Sequence, residues 1–204
     1  MGRSSDAKER LMDAMTELIW HGSYGSTTID QICEKAGVKK GSFYYFFESK
    51  CDVAAAALEA TWEQKRPELD AIFSPTVPPL ERLRRFCEMG YEKQKELKKQ
   101  CGSVRGCPLF ALGSEVCNSD ERLHTKVKEI LSHYHTYIES AIRDAHTQGL
   151  IHAPNPAAKA RMLFAYSEGL LTQARIVNDV EVLREMAEGV LGILGAKTVT
   201  RKAA

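Results

Sequence analysis

The stretch TTIDQICEKAGVKKGSFYYFFESK, residues 27–50, decides how this chain is read. Thr28 and Gln31 have capping-box spacing, so a helix is predicted to begin at the two threonines. Ile29, Ile32 and Cys33 mark its buried face. Ala36 is followed by Gly37, the residue expected where a helix stops and the backbone takes positive φ. Val38 restarts the apolar pattern, which Phe43, Phe46 and Phe47 continue on one side of a second helix. Lys39, Lys40, Ser42, Tyr44 and Tyr45 fall on the other side. Two short helices joined by a glycine turn have the spacing of a helix-turn-helix, whose second helix enters the DNA major groove.

The chemistry at the front of the second helix suits phosphate. Lys39 and Lys40 occupy a first turn in which free backbone N–H groups and the helix dipole already favour an anion. Paired lysines there cost helix stability, so packing alone gives them no reason. Tyr44 and Tyr45 carry hydroxyls that can reach phosphate oxygens or base edges, and Ser42 permits close approach. The plainer alternative is a solvated helix face over core aromatics.

Residues 38–50, VKKGSFYYFFESK, resemble the recognition helix and following turn of the TetR-type transcriptional regulators: a GV turn, a GS pair, an aromatic cluster and then SK. Thr27 and Thr28 fall on the threonine-rich start of that family's second helix, and Lys50 on a lysine that often touches phosphate. The resemblance implies that Thr28, Lys39, Ser42, Tyr44, Tyr45 and Lys50 meet DNA, and Thr27 and Lys40 complete the candidate set. Phe46 departs from the histidine or tyrosine common in relatives, which weakens a base contact there.

Charge gives no case of its own for nucleic acid, since 28 Lys and Arg against 27 Asp and Glu leave the chain at +1. Within the first fifty residues Arg3, Lys8, Arg10, Lys35, Lys39, Lys40 and Lys50 are balanced by Asp6, Glu9, Asp13, Glu17, Asp30, Glu34 and Glu48. Weak non-specific binding is expected, with affinity relying on geometry and on two copies of the motif. No apolar run approaches the roughly 18 residues needed to span a bilayer, so no membrane partner and a cytoplasmic location are expected. Six cysteines without close pairing argue for reduced thiols.

The rest of the chain reads as helix after helix. Leu11, Met15, Leu18 and Ile19 stripe a helix over residues 6–20. A longer one is predicted from Asp52 to Ile72, followed by a proline-rich connection from Phe73 to Pro79. Leu80, Leu83, Cys87 and Tyr91 stripe the next. Leu123, Val127, Ile130, Tyr134, Ile138, Ala141 and Ala145 mark a helix ended by Gly149. The expected fold is all-α: a three-helix helix-turn-helix domain over residues 1–50, then a larger helical domain over 51–204 for ligand sensing and dimerisation.

Asn155 and Pro156 read as the cap and first residue of a helix running to about Val177, and Asp179 opens a final helix ending near Gly195. Small residues Ala158, Ala165, Gly169, Gly189 and Gly192 allow close helix approach beside apolar Met162, Tyr166, Leu170, Leu183, Met186, Val190, Leu191 and Leu194. Such a pair is either internal core or an interface. The family resemblance implies the latter, a four-helix bundle of a homodimer, which also suits a palindromic operator.

Regulators of this type bind a small-molecule effector among the central helices. Trp62, Phe86, Met89, Phe110, Tyr134, Tyr137 and Tyr166 are the candidate lining, each with a plain core role as its alternative, and the pocket is expected to be apolar. No cofactor is expected. In Arg105-Gly106-Cys107-Pro108 the proline suits a first helical position, which makes Cys107 an N-cap thiol drawn towards thiolate by the dipole. Cys101 and Cys117 lie nearby. The run GCPLFALGSEVC is similar to a segment in a TetR-type subgroup that responds to electrophiles and oxidants, so Cys107 is a candidate sensor, with buried structural cysteine as the alternative. The overall expectation is a ligand-responsive repressor and no enzyme. Two further readings are a metal site from Cys101, Cys107, Cys117, His124, His133 and His135, for which no CxxC exists, and a thiol-dependent enzyme, for which no base is identified.

Overall fold

The computed structural model describes residues 2–116 and 120–196, and among them every regular element is helical. In chain order these are α1 (Gly2–His21), α2 (Ile29–Ala36), α3 (Lys40–Phe46), α4 (Lys50–Ile72), α5 (Pro79–Cys101), α6 (Pro108–Val116), α7 (Glu121–Thr147), α8 (Pro156–Val177), a 3-10 turn (Val180–Leu183) and α9 (Met186–Ile193). The residues pack as two compact units, Met1–Arg66 with Cys107–Leu131, and Pro67–Gly106 with Ser132–Ala204. In this packing α6 and the start of α7 lie in the same unit as the helix-turn-helix.

In the first unit the expected local signals operate as physics requires. Thr28 Oγ1 accepts from Gln31 N at 3.2 Å and Gln31 Oε1 accepts from Thr28 N at 2.8 Å, a complete capping box at the head of α2. Gly37 takes φ 65°, and Val38 N donates back to Cys33 O at 3.0 Å, which closes the helix. Leu11, Met15 and Ile19 of α1 are buried, as are Ile32, Phe43, Val53, Leu112 and Leu123 of the same unit. α4 begins at Lys50, two residues before the predicted start, because Ser49 and Asp52 cap it reciprocally: Ser49 Oγ donates to Asp52 Oδ2 at 2.9 Å and accepts from Asp52 N at 3.2 Å.

The second unit holds α5, α8, the 3-10 turn, α9 and the greater part of α7. Asn155 Oδ1 caps α8 by accepting from Ala158 N at 2.9 Å, and Asn178, at φ 51°, ends it. The single helix expected from Asp179 to Gly195 is instead a 3-10 turn followed by α9. Asp179 Oδ1 accepts from Glu181 N, and Arg184 N returns to Glu181 O at 3.0 Å. The buried residues explain the break: Val180, Leu183 and Met186 recur every third position, which a 3-10 turn stacks on one side, and Val190 follows at the four-residue step of an α-helix.

Candidate DNA-binding interface

Tyr44 and Tyr45 stand out from α3, 53% and 77% exposed, while Phe43 between α1 and α2 is fully buried. The tyrosines do not stand alone. Tyr44 packs edge-on against Phe43 with ring centroids 5.4 Å apart, and Tyr45 against Phe46 at 4.8 Å. Phe46, expected in the core, is only half-buried and props Tyr45. Two phenol hydroxyls are thus presented on a rigid aromatic base.

The cations divide into three situations. Lys39 is the N-cap residue of α3, exposed, with no hydrogen bond or ion pair to any described side chain. Its carbonyl instead accepts from Ser42 N at 2.9 Å. Lys40, the first residue of α3, pairs with Asp30 of α2 at 2.8 Å, and that hydrogen bond raises its pKa. Both side chains of the pair are exposed, so a phosphate can compete for it. Lys50 is different: its ammonium donates to Tyr24 O at 2.8 Å and to Thr27 O at 2.9 Å and lies 4.2 Å from the centre of the Tyr24 ring.

Thr28 is exposed at the head of α2, and Ser42 is half-buried on α3. Thr27 is 5% exposed and its hydroxyl donates to Ser23 O at 2.8 Å. That hydroxyl closes the turn before α2.

The cysteines also separate by environment. Cys51, at the start of α4, donates its thiol to Asp120 Oδ1 at 3.0 Å; burial first and this bond second push its pKa up to about 12. Asp120 is lowered by accepting from Cys51 and from Leu123 N. Burial pushes Cys87 up to about 12 as well. Cys101 is exposed at the end of α5, and Cys117 lies outside the described residues. Cys107 is half-buried directly before α6, its carbonyl accepting from Ala111 N at 3.1 Å as an N-cap residue's does. Gln94 was not signalled by the sequence, yet it fixes the backbone ahead of Cys107. Its Oε1 accepts from Arg105 N and Gly106 N, both at 2.9 Å, and its Nε2 donates to Gly106 O at 3.0 Å. A lone glutamine on a charged helix carries no pattern that could have revealed this.

The seven proposed lining residues do not gather in one unit. Trp62 and Phe110 belong to the first, the former buried and the latter exposed. In the second, Phe86 lies 5.8 Å from Phe73 and 6.3 Å from Tyr134, Tyr137 lies 5.3 Å from Phe73, and Tyr134 stacks on Phe164 at 5.3 Å. Tyr137 also donates to Asp70. Met89 is half-buried on α5, and Tyr166 is pressed against Gly189 of α9. An open groove of about 710 Å³ between α4 and α7 in the first unit is lined by Asp52, Ala55, Ala56, Glu59, Arg122 and Lys126 among others. Charged side chains line it, with Lys126 paired to Glu59 at 2.7 Å and Arg122 to Asp52. His135 is held below the usual imidazole range by burial and by Arg161, with its ring edge-on to Phe164. Among the described residues no three His, Cys, Asp or Glu side chains gather as metal ligands, so the metal-binding alternative finds no site there.

A capped helix, an αL glycine and a short second helix presenting tyrosines and a cation over a buried aromatic define a helix-turn-helix DNA-binding protein. The chain belongs to the TetR family of transcriptional regulators: residues 11–57 match the model for bacterial regulatory proteins of the tetR family, and residues 79–190 the tetracyclin repressor-like C-terminal domain. It is 29% identical over 175 residues to the transcriptional regulator AcuR of Cereibacter sphaeroides, covering 85% of this chain and 78% of that one. It is 24% identical over 198 residues to the transcriptional repressor NemR of Escherichia coli strain K12, covering 95% and 96%. A TetR regulatory protein of Rhodobacter sphaeroides superposes with a TM-score of 0.79 at 27% identity, over 90% of this chain and 96% of that one. No helix among the described residues is long and apolar enough to cross a membrane.

Proposed function

We propose that this regulator is a repressor that binds a palindromic operator as a homodimer and is released by a small-molecule effector or by modification of Cys107. DNA reading is assigned to residues 1–50 and effector sensing with dimerisation to 51–204. The observation that carries the DNA reading is the exposed Tyr44–Tyr45 pair on α3, seated on buried Phe43, with Lys39 open at the helix start. Thr28, Lys39, Lys40, Ser42, Tyr44 and Tyr45 form the proposed contact surface.

The dimer is assigned mainly to the outer face of α8. Met162, Ala165, Gly169, Thr172 and Ile176 are exposed at helical spacing along it, with Val177 beside them, whereas Met186, Val190 and Leu191 of α9, and Leu194 just after it, are already buried. Gly192 of α9 is exposed, and a Cβ added there would meet nothing within 4 Å outside its own helix backbone, which suits a close helix crossing. For the effector, the grouping of Phe73, Phe86, Tyr134, Tyr137 and Phe164 supports an aromatic-walled site in the second unit. For the thiol, the N-cap position of Cys107 and likeness to a repressor whose reduced form has been solved support a sensor role.

The test is a mobility shift on DNA flanking the chain's own gene. Wild type is expected to retard it, and Tyr44→Ala to bind at least about tenfold more weakly at unchanged melting temperature, the loss of roughly one good contact. Alkylation with iodoacetamide is expected to release DNA from wild type and not from Cys107→Ser. Release from both removes the thiol arm while leaving the repressor intact.

A further inference from the structure

We propose that Asp30 is an intramolecular stand-in for the DNA phosphate: in the free protein it occupies the Lys40 ammonium, and so holds the DNA affinity of α2 and α3 below what their cations allow. This rests on the placing of Lys40 in the DNA contact surface. Asp30 Oδ1 lies 2.8 Å from Lys40 Nζ and joins the first turn of α2 to the first residue of α3. A carboxylate is an odd neighbour for a surface that meets a polyanion. Asp30 follows the exposed cap Thr28 by two residues, and Lys40 precedes exposed Tyr44 by one helical turn.

The pair does little for the fold. Its aspartate and lysine side chains are 74% and 53% exposed, and an ion pair so open to solvent adds little to stability. The turn between α2 and α3 is made by the backbone without it, through Gly37 at φ 65° and the bond from Val38 N to Cys33 O. Its effect falls on binding instead. A phosphate reaches Lys40 in full only by displacing Asp30, and each cation withheld matters in a first fifty residues whose charges cancel. The displaced carboxylate is not stranded, because the positive end of the α2 dipole favours it where it stands. The exchange is therefore reversible. Breaking an exposed pair of this kind weakens binding about threefold per copy, and about tenfold where two copies bind together.

A duplex selected by the wild-type protein from a random-sequence library serves as probe, and a double-mutant cycle separates the roles open to Asp30. Asp30→Asn is expected to bind it about tenfold more tightly at low salt, an advantage that shrinks as added salt screens the pair. Lys40→Met is expected to bind more weakly than wild type with a flatter salt dependence, and adding Asp30→Asn to it is expected to change nothing further. Both positions are exposed, so the variants are expected to fold, and equal melting temperatures check this. Asp30→Asn that binds no more tightly than wild type overturns the proposal. A gain that persists in the Lys40→Met background overturns it as well, since the carboxylate then repels phosphate directly and not through Lys40. Lys40→Met that binds as wild type does removes Lys40 from the contact surface and the role of Asp30 with it, while a loss on Tyr44→Ala keeps the surface itself. A wild type that selects no duplex removes the DNA reading as a whole.

Discussion

Tyr166 and Gly189 show how a single absent methyl sets the packing of two helices. A Cβ on Gly189 would stand 2.0 Å from Tyr166 Oη and 2.7 Å from Cζ, so the ring can lie on α9 only because no side chain is there. Gly189→Ala is expected to force the ring out and lower stability by about 1–3 kcal/mol, the usual cost of overpacking. In a Tyr166→Ala background the same change should be near neutral, and a thermal melting cycle that shows simple additivity would disprove the coupling. The thiols give a second residue-scale prediction. Cys51 and Cys87 stay protonated up to about 12, whereas unfolded thiols ionise near about 8.5. The folded state thus holds protons that the unfolded state has lost. Stability contributed by both is full below the unfolded value and declines as pH rises towards about 12. Alkylation at pH 9 should label exposed Cys101 well before Cys51 or Cys87, checked by mass spectrometry of the peptides.

At the scale of elements, Arg82 is the tie that organises the α4–α5 connection. It is 3% exposed, and its guanidinium donates to Val77 O at 2.7 Å, to Pro75 O at 3.1 Å and to Asp144 Oδ2 of α7 at 2.5 Å. A proline-rich connection has few backbone donors of its own, so a buried arginine supplies them. Arg82→Ala would leave two carbonyls and a carboxylate without their donor and is expected to cost about 2–4 kcal/mol by chemical denaturation. A loss as small as that of an exposed ion pair would contradict this role. The proline-rich connection itself was legible from Phe73 to Pro79, since prolines act locally, but the arginine's destination was not. Its partner Asp144 lies 62 residues away.

For the whole molecule, the near-zero net charge makes two copies of α3 at fixed spacing the natural route to useful affinity. Ile176 is 75% exposed on the α8 face assigned to dimerisation. Ile176→Glu is expected to convert the dimer to monomer in sedimentation and to weaken operator binding by more than tenfold, with the monomer's helical content preserved. A protein that stays dimeric with that glutamate in place would move the interface elsewhere. The packing units also carry meaning at this scale. α6, which Cys107 precedes, packs with α1 in the same unit as the DNA-reading helices, and Gly25 N donates to Glu115 Oε2 of α6 at 2.9 Å.

What the sequence determined by itself is everything governed by neighbours along the chain. The Thr28–Gln31 cap, the αL glycine at 37 and the start of α8 at Asn155-Pro156 all follow from interactions within four residues. Tertiary structure decided the rest, because it depends on which distant groups meet. It tied the Thr27 hydroxyl and the Lys50 ammonium to carbonyls of the turn before α2, and it split the last helix where Val180, Leu183 and Met186 had to share one buried side. It also gathered α6 with the helix-turn-helix. A carbonyl more than twenty residues away leaves no periodicity for a sequence to display.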